Sequence, residues 1–118
     1  DMAGMVLMRE LARTDVVREL TFTGRIFSGE EAVHLGLATR VAADPLAEAL
    51  QMAHEIAGKS PDAIRAGKRL LNAAMMQSAA ELLLAESVEQ KALIGSANQA
   101  EAVKANIERR TSRFDPPA

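Results

Sequence analysis

The side chains that type or clustering alone sets apart are the histidines His34 and His54, the only two in the sequence, and the run Glu108-Arg109-Arg110-Thr111-Ser112-Arg113. A carboxylate moves protons when its surroundings tune its pKa, and a histidine does so near neutral pH or ligates a metal. Neither histidine has a second ligand at the spacing a helical metal site needs, so no metal site is expected and both read as surface or boundary residues. Arginines close to a helix C-terminus complement the helix dipole, which is a sufficient reason for the run at 108–113. Asp1 has the side chain that helix capping alone would choose. No Gly-x-Ser-x-Gly elbow, phosphate-binding glycine loop or cysteine nucleophile occurs. The sequence therefore holds no self-sufficient catalytic motif.

The elements that carry these residues are marked by caps. Asp1 is placed to open a first helix reaching Arg13-Thr14, with Met5, Met8 and Leu11 on one face. Asp15 caps a short second helix with Val16, Val17 and Leu20 inward. Ser28-Gly29-Glu30-Glu31 reads as a capping box opening a helix that Gly36 ends, and Leu37 to Val41 alternates as a half-buried strand does. Asp44-Pro45 and Ser60-Pro61 start two more helices, the first with Leu46, Leu50, Ala53 and Ile56 or Ala57 at helical spacing, the second with Ile64, Lys68 or Leu71, and Met75 on one side. Ser78 to Glu81 is another capping box, followed by an inner stripe of Leu84, Val88 and Leu93. Ser96 caps the last helix, whose apolar seam is Ala100, Val103 and Ile107.

Composition narrows the class. The chain has 118 residues, 48% hydrophobic and 25% charged, as a folded domain does, and its only aromatics are Phe22, Phe27 and Phe114. Its core must be aliphatic. The net charge of −2 argues against a nucleic-acid surface, which needs a strongly basic footprint. No cysteine is present, so disulfides and thiolate metal sites are excluded; this is compatible with a cytoplasmic protein. No apolar run approaches the roughly 20 residues of a membrane span.

Three segments together resemble the crotonase (enoyl-CoA hydratase/isomerase) superfamily. The first is Phe22-Thr23-Gly24 with Ser28, Ala32, Gly36-Leu37 and Val41. The second is Asp1-Met2-Ala3-Gly4, which is similar to the end of the family's Pro-Asp-x-Gly-Gly loop. The third is Asn98 to Phe114, with Glu101, Ala102 and Glu108-Arg109-Arg110, which is similar to its terminal helix. Their order and spacing agree over nearly the whole chain.

The resemblance implies an α/β spiral of β-β-α turns followed by a helical region that trimerises. The present chain would be mainly α: residues 1–43 supply the end of the core, with a wall helix, a short helix and a strand, and residues 44–118 the oligomerisation helices. The implied activity is on acyl-CoA thioesters, with hydration of a trans-2-enoyl-CoA first and double-bond isomerisation as the alternative. No metal and no covalently bound cofactor is implied, and the expected assembly is a homotrimer or dimer of trimers. The family's oxyanion donors and paired glutamates lie upstream of the segment matching Asp1, so the chain reads as part of a longer polypeptide. By the resemblance Asp1 sits in the loop facing the thioester and is the candidate proton carrier, while Arg109 stands where a basic residue reaches coenzyme A phosphates, often on a neighbouring subunit. Lys68 also matches a family lysine and reads as a solvated charge. Ala3 replaces a glycine, a change expected to suit a helix, and Asn106 replaces a phenylalanine. A helical assembly module without catalysis is the alternative from another class.

Overall fold

The computed structural model describes residues 2–117 and divides into two compact units, Asp1–Glu48 and Ala49–Ala118. Seven helices make up the regular structure of the described residues: α1 Gly4–Met8, α2 Thr14–Thr23, α3 Gly29–His34, α4 Pro45–Ala57, α5 Pro61–Ala74, α6 Ala79–Leu93 and α7 Ala97–Ile107.

Most helix starts follow from their caps. Ser28 accepts a hydrogen bond from the Glu31 N–H at 3.2 Å, Asp44 Oδ1 from the Ala47 N–H at 3.0 Å, and Ser96 Oγ from the Gln99 N–H at 3.2 Å. Ser78 and Glu81 form a complete capping box, the Glu81 carboxylate accepting from the Ser78 N–H at 2.8 Å. The expected box at Ser28 is only half made. Glu31 turns instead to the Arg25 guanidinium at 2.7 Å, a charge-assisted partner stronger than a neutral backbone N–H. Asp15 is not the cap of α2 either: it lies inside the first turn and pairs with Arg13, which holds the N-cap position. Asp1 lies outside the described residues, and α1 ends at Met8, short of the expected reach to Arg13-Thr14.

Leu37 to Val41 is not a strand, and no strand occurs among the described residues. The alternating pattern there is consumed by the end of α3. Gly36, at φ 84°, donates to the Val33 carbonyl at 3.1 Å, and Leu37 donates to the Ala32 carbonyl at 2.9 Å, the two bonds of a Schellman turn. Ala38 also reaches the Ala32 carbonyl, at 3.2 Å. Backbone donors spent on closing a helix are no longer available to a sheet ladder.

Inward faces differ from the periodicity expectations in the second unit. α5 and α6 pack against each other through a mixed stripe: Ala66 is buried, Leu70 and Ala73 are half-buried, and on α6 the covered stripe is Leu82, Ala85, Glu89 and Leu93. The Arg69 guanidinium forks onto Glu89 with two bonds of 2.7 Å across this pair. Ile64, Leu71, Met75, Leu84 and Val88, expected inside, are exposed, as are Leu46, Leu50 and Ile56 of α4. These helices carry two apolar stripes each. The stripe around Ala66 makes the α5–α6 contact, while Ile64, Leu71, Leu84 and Val88 remain on the open side.

The candidate site at the end of helix α7

Helix α7 is held from its first turn. Asn98 is 4% exposed, and its amide nitrogen donates to Asp62 Oδ2 at 2.7 Å and to the Asp115 carbonyl at 3.2 Å. Its carbonyl oxygen accepts from the Asp115 N–H at 2.8 Å. A buried amide satisfied on both sides fixes two segments at once. Here it ties the start of α5 and the C-terminal tail to α7. Ala105, 1% exposed, anchors the last turn of the same helix.

The helix then closes with a second Schellman turn. Arg109 donates to the Asn106 carbonyl at 3.2 Å and Arg110 to the Ala105 carbonyl at 3.0 Å. The residue in the left-handed position is Arg109, at φ 53°. A side chain in that region costs roughly 1–2 kcal/mol against glycine, so an arginine there needs a reason.

Its neighbours are fastened. Arg110 forks onto Glu101 with bonds of 2.6 and 2.9 Å, and its Nε donates to Glu108 at 2.6 Å. Glu101 accepts in addition from the Arg113 N–H at 2.7 Å. The Arg110 fork, followed by the Arg113 N–H, pulls the Glu101 carboxyl down to about 2, and the two carboxylates raise Arg110 above its ordinary value. An open hollow of about 590 Å³ is lined by Glu101, Arg110, Thr111 and Arg113. The Arg109 side chain is exposed, and among the described residues no ion pair or side-chain hydrogen bond engages it. The arrangement can present one cation to an anion, and an arginine meets phosphate oxygens with two parallel N–H bonds.

Asp1 lies outside the described residues, so its geometry does not enter the site. His34 and His54 donate through Nδ1 to their own helices, to the Glu30 carbonyl at 2.8 Å and the Leu50 carbonyl at 2.7 Å. No cluster that could hold a metal ion occurs among the described residues. Lys68 is exposed on α5. Ala3 does not extend a helix as expected. It sits before α1 at φ 68°, a position that glycine occupies more readily. The clamp between Glu101 and Arg110 was missed from the sequence, although both residues carry the resemblance. Nine positions apart, they meet only because the Schellman turn reverses the chain.

The chain belongs to the enoyl-CoA hydratase/isomerase family, which it matches over residues 2–117. Solved structures of similar fold include a probable enoyl-CoA hydratase/isomerase from Mycobacterium abscessus, 37% identical, with a TM-score of 0.92 over 99% of this chain and 49% of that one. An enoyl-CoA hydratase from Polaromonas sp. JS666 is 26% identical, with a TM-score of 0.88 over 98% of this chain and 46% of its own. One from Mycobacterium tuberculosis H37Rv is 25% identical, with a TM-score of 0.87 over 96% of this chain and 46% of its own. The chain thus spans about half the length of these relatives. No curated protein matches it.

Proposed function

We propose that this chain is the C-terminal portion of an acyl-CoA enzyme that adds water to a trans-2-enoyl-CoA thioester. The observation that carries this reading is the family match over residues 2–117, supported by a 37% identical relative of the same fold that is a probable enoyl-CoA hydratase/isomerase. In the proposed reaction the thioester carbonyl takes up charge as an enolate stabilised by two backbone N–H groups, the usual large electrostatic contribution. Paired carboxylates deliver hydroxide to C3 and a proton to C2. Those donors and carboxylates belong to polypeptide outside this chain. The chain itself lines one wall of the acyl-CoA pocket with residues 1–43, and residues 44–118 supply subunit contacts in a cytoplasmic homotrimer or dimer of trimers. Arg109 holds a phosphate of coenzyme A, within its own subunit or across to a neighbour.

Isomerisation is the second reading, and Asp1 is its motive, since a carboxylate beside a polarised thioester can shuttle a proton along the acyl chain. The test is turnover of trans-2- and trans-3-enoyl-CoA by the full-length polypeptide and by its Asp1→Asn variant. Hydration of the 2-enoyl substrate untouched by the substitution supports the hydratase. Loss of 3-enoyl conversion in the variant supports the isomerase, and no turnover of either substrate defeats both.

A non-catalytic assembly role draws on the exposed apolar residues of α4 to α7, among them Leu46, Leu84, Val88 and Ile107. Such faces suit helix pairing between chains. Light scattering addresses it: a monomeric full-length protein removes both this reading and the trimer.

A further inference from the structure

The fastening around Arg109 extends the functional reading by one step, and it rests on Arg109 being the coenzyme A contact. Glu101 stands on the second turn of α7, and its two oxygens serve different tasks. Oε1 receives Arg110 at 2.6 Å and the Arg113 N–H at 2.7 Å, while Oε2 receives the second arm of Arg110 at 2.9 Å. One carboxylate thus closes the loop from 101 to 110 and pins the tail beyond it. Arg110 is also tied to Glu108, so the residues on both sides of Arg109 are bound to each other. Among the five charged side chains of the cluster, Arg109, Arg110 and Arg113 outnumber Glu101 and Glu108, and both carboxylates are committed to Arg110.

We propose that Glu101 is a positioning residue for Arg109: by forking Arg110 and fixing the tail, it holds the Schellman turn in the left-handed geometry that presents Arg109 to the phosphates of the coenzyme A nucleotide. A cation held in place before its ligand arrives loses less freedom on binding than one on a loose turn. Glu101 has no contact with the ligand in this scheme and acts only through the turn.

The experiment compares dissociation constants of coenzyme A and of pantetheine, which lacks the nucleotide and its phosphates, by calorimetry on the full-length polypeptide and its variants. Arg109→Ala should weaken coenzyme A about tenfold, the scale of a charge-assisted contact, and leave pantetheine unchanged. Glu101→Gln and Arg110→Lys, the latter keeping its charge but losing the planar fork, should each weaken coenzyme A by roughly threefold with pantetheine again unchanged. Added to Arg109→Ala, Glu101→Gln should do nothing further, because its effect passes through Arg109. Additive losses in the double variant overturn the inference, as does unchanged coenzyme A binding in Glu101→Gln while Arg109→Ala binds weakly. Should Glu101→Gln not fold, Arg110→Lys decides by the same criteria. Unchanged coenzyme A binding in Arg109→Ala overturns the underlying reading instead, and the inference with it.

Discussion

Helices α3 and α7 end in the same hydrogen-bonded turn, yet one places Gly36 and the other Arg109 in the left-handed position. At the end of α3 the choice is steric. A Cβ on residue 36 would collide with the Leu11 carbonyl oxygen, so backbone approach and positive φ both demand glycine. At the end of α7 the turn faces an open hollow, and the strained residue is held by the ion pairs of its neighbour Arg110. The comparison separates two uses of one motif: α3 closes by giving up a side chain, α7 closes while keeping one. A non-glycine residue at positive φ costs roughly 1–2 kcal/mol, so the end of α7 is closed at a strain that the end of α3 avoids.

The largest effect is expected of Gly36→Ala. Strain plus the clash with Leu11 should remove about 3 kcal/mol of stability, read as a fall in the urea midpoint with an unchanged slope. A loss below half of that would show that Leu11 yields and that the two ends are alike. Next comes the anchor of α7. Asn98→Ala leaves Asp62 and the Asp115 backbone without their buried partner and should cost about 2 kcal/mol. Hydrogen exchange at the Asp115 amide should accelerate at the same time.

Arg109→Gly should move stability the other way, by roughly +1 kcal/mol, since glycine relieves the left-handed strain but loosens the unfolded chain. A destabilised variant would mean that Arg109 makes a contact that outweighs its backbone strain. The smallest effect at neutral pH belongs to Glu101→Gln, because an exposed ion pair contributes little there. Its pH dependence is sharper. The Glu101 carboxyl is lowered from 4.5 in the unfolded chain to about 2 in the folded one, so its stabilisation is fully present above 4.5 and disappears as the pH falls through about 2. Melting temperatures of the parent and Glu101→Gln chains should therefore differ most above pH 5 and converge by pH 2. A constant difference across that range would detach Glu101 from the clamp.

The sequence alone determined the features that depend on neighbours a few positions away. Ser28, Asp44, Ser78 and Ser96 begin helices because each side-chain oxygen reaches an N–H three residues on, and Gly36 ends one because the left-handed region admits it. The spacing of Phe22-Thr23-Gly24, Gly36-Leu37 and Glu108-Arg109-Arg110 was also sufficient to indicate the family. Tertiary structure decided the rest. Which stripe of α5 and α6 faces inward could not be read from periodicity, since Ile64 and Leu84 are as apolar as the residues that pack around Ala66. The alternation after Gly36 pointed to a strand that lacks its ladder, and the donors of its first two residues, Leu37 and Ala38, turn back to the Ala32 carbonyl. The pairing of Glu101 with Arg110, and with it the exposed setting of Arg109, appears only once the chain reverses at the end of α7. Capping is a local equilibrium of a few bonds, whereas helix faces and the clamp are settled by which segments meet in space.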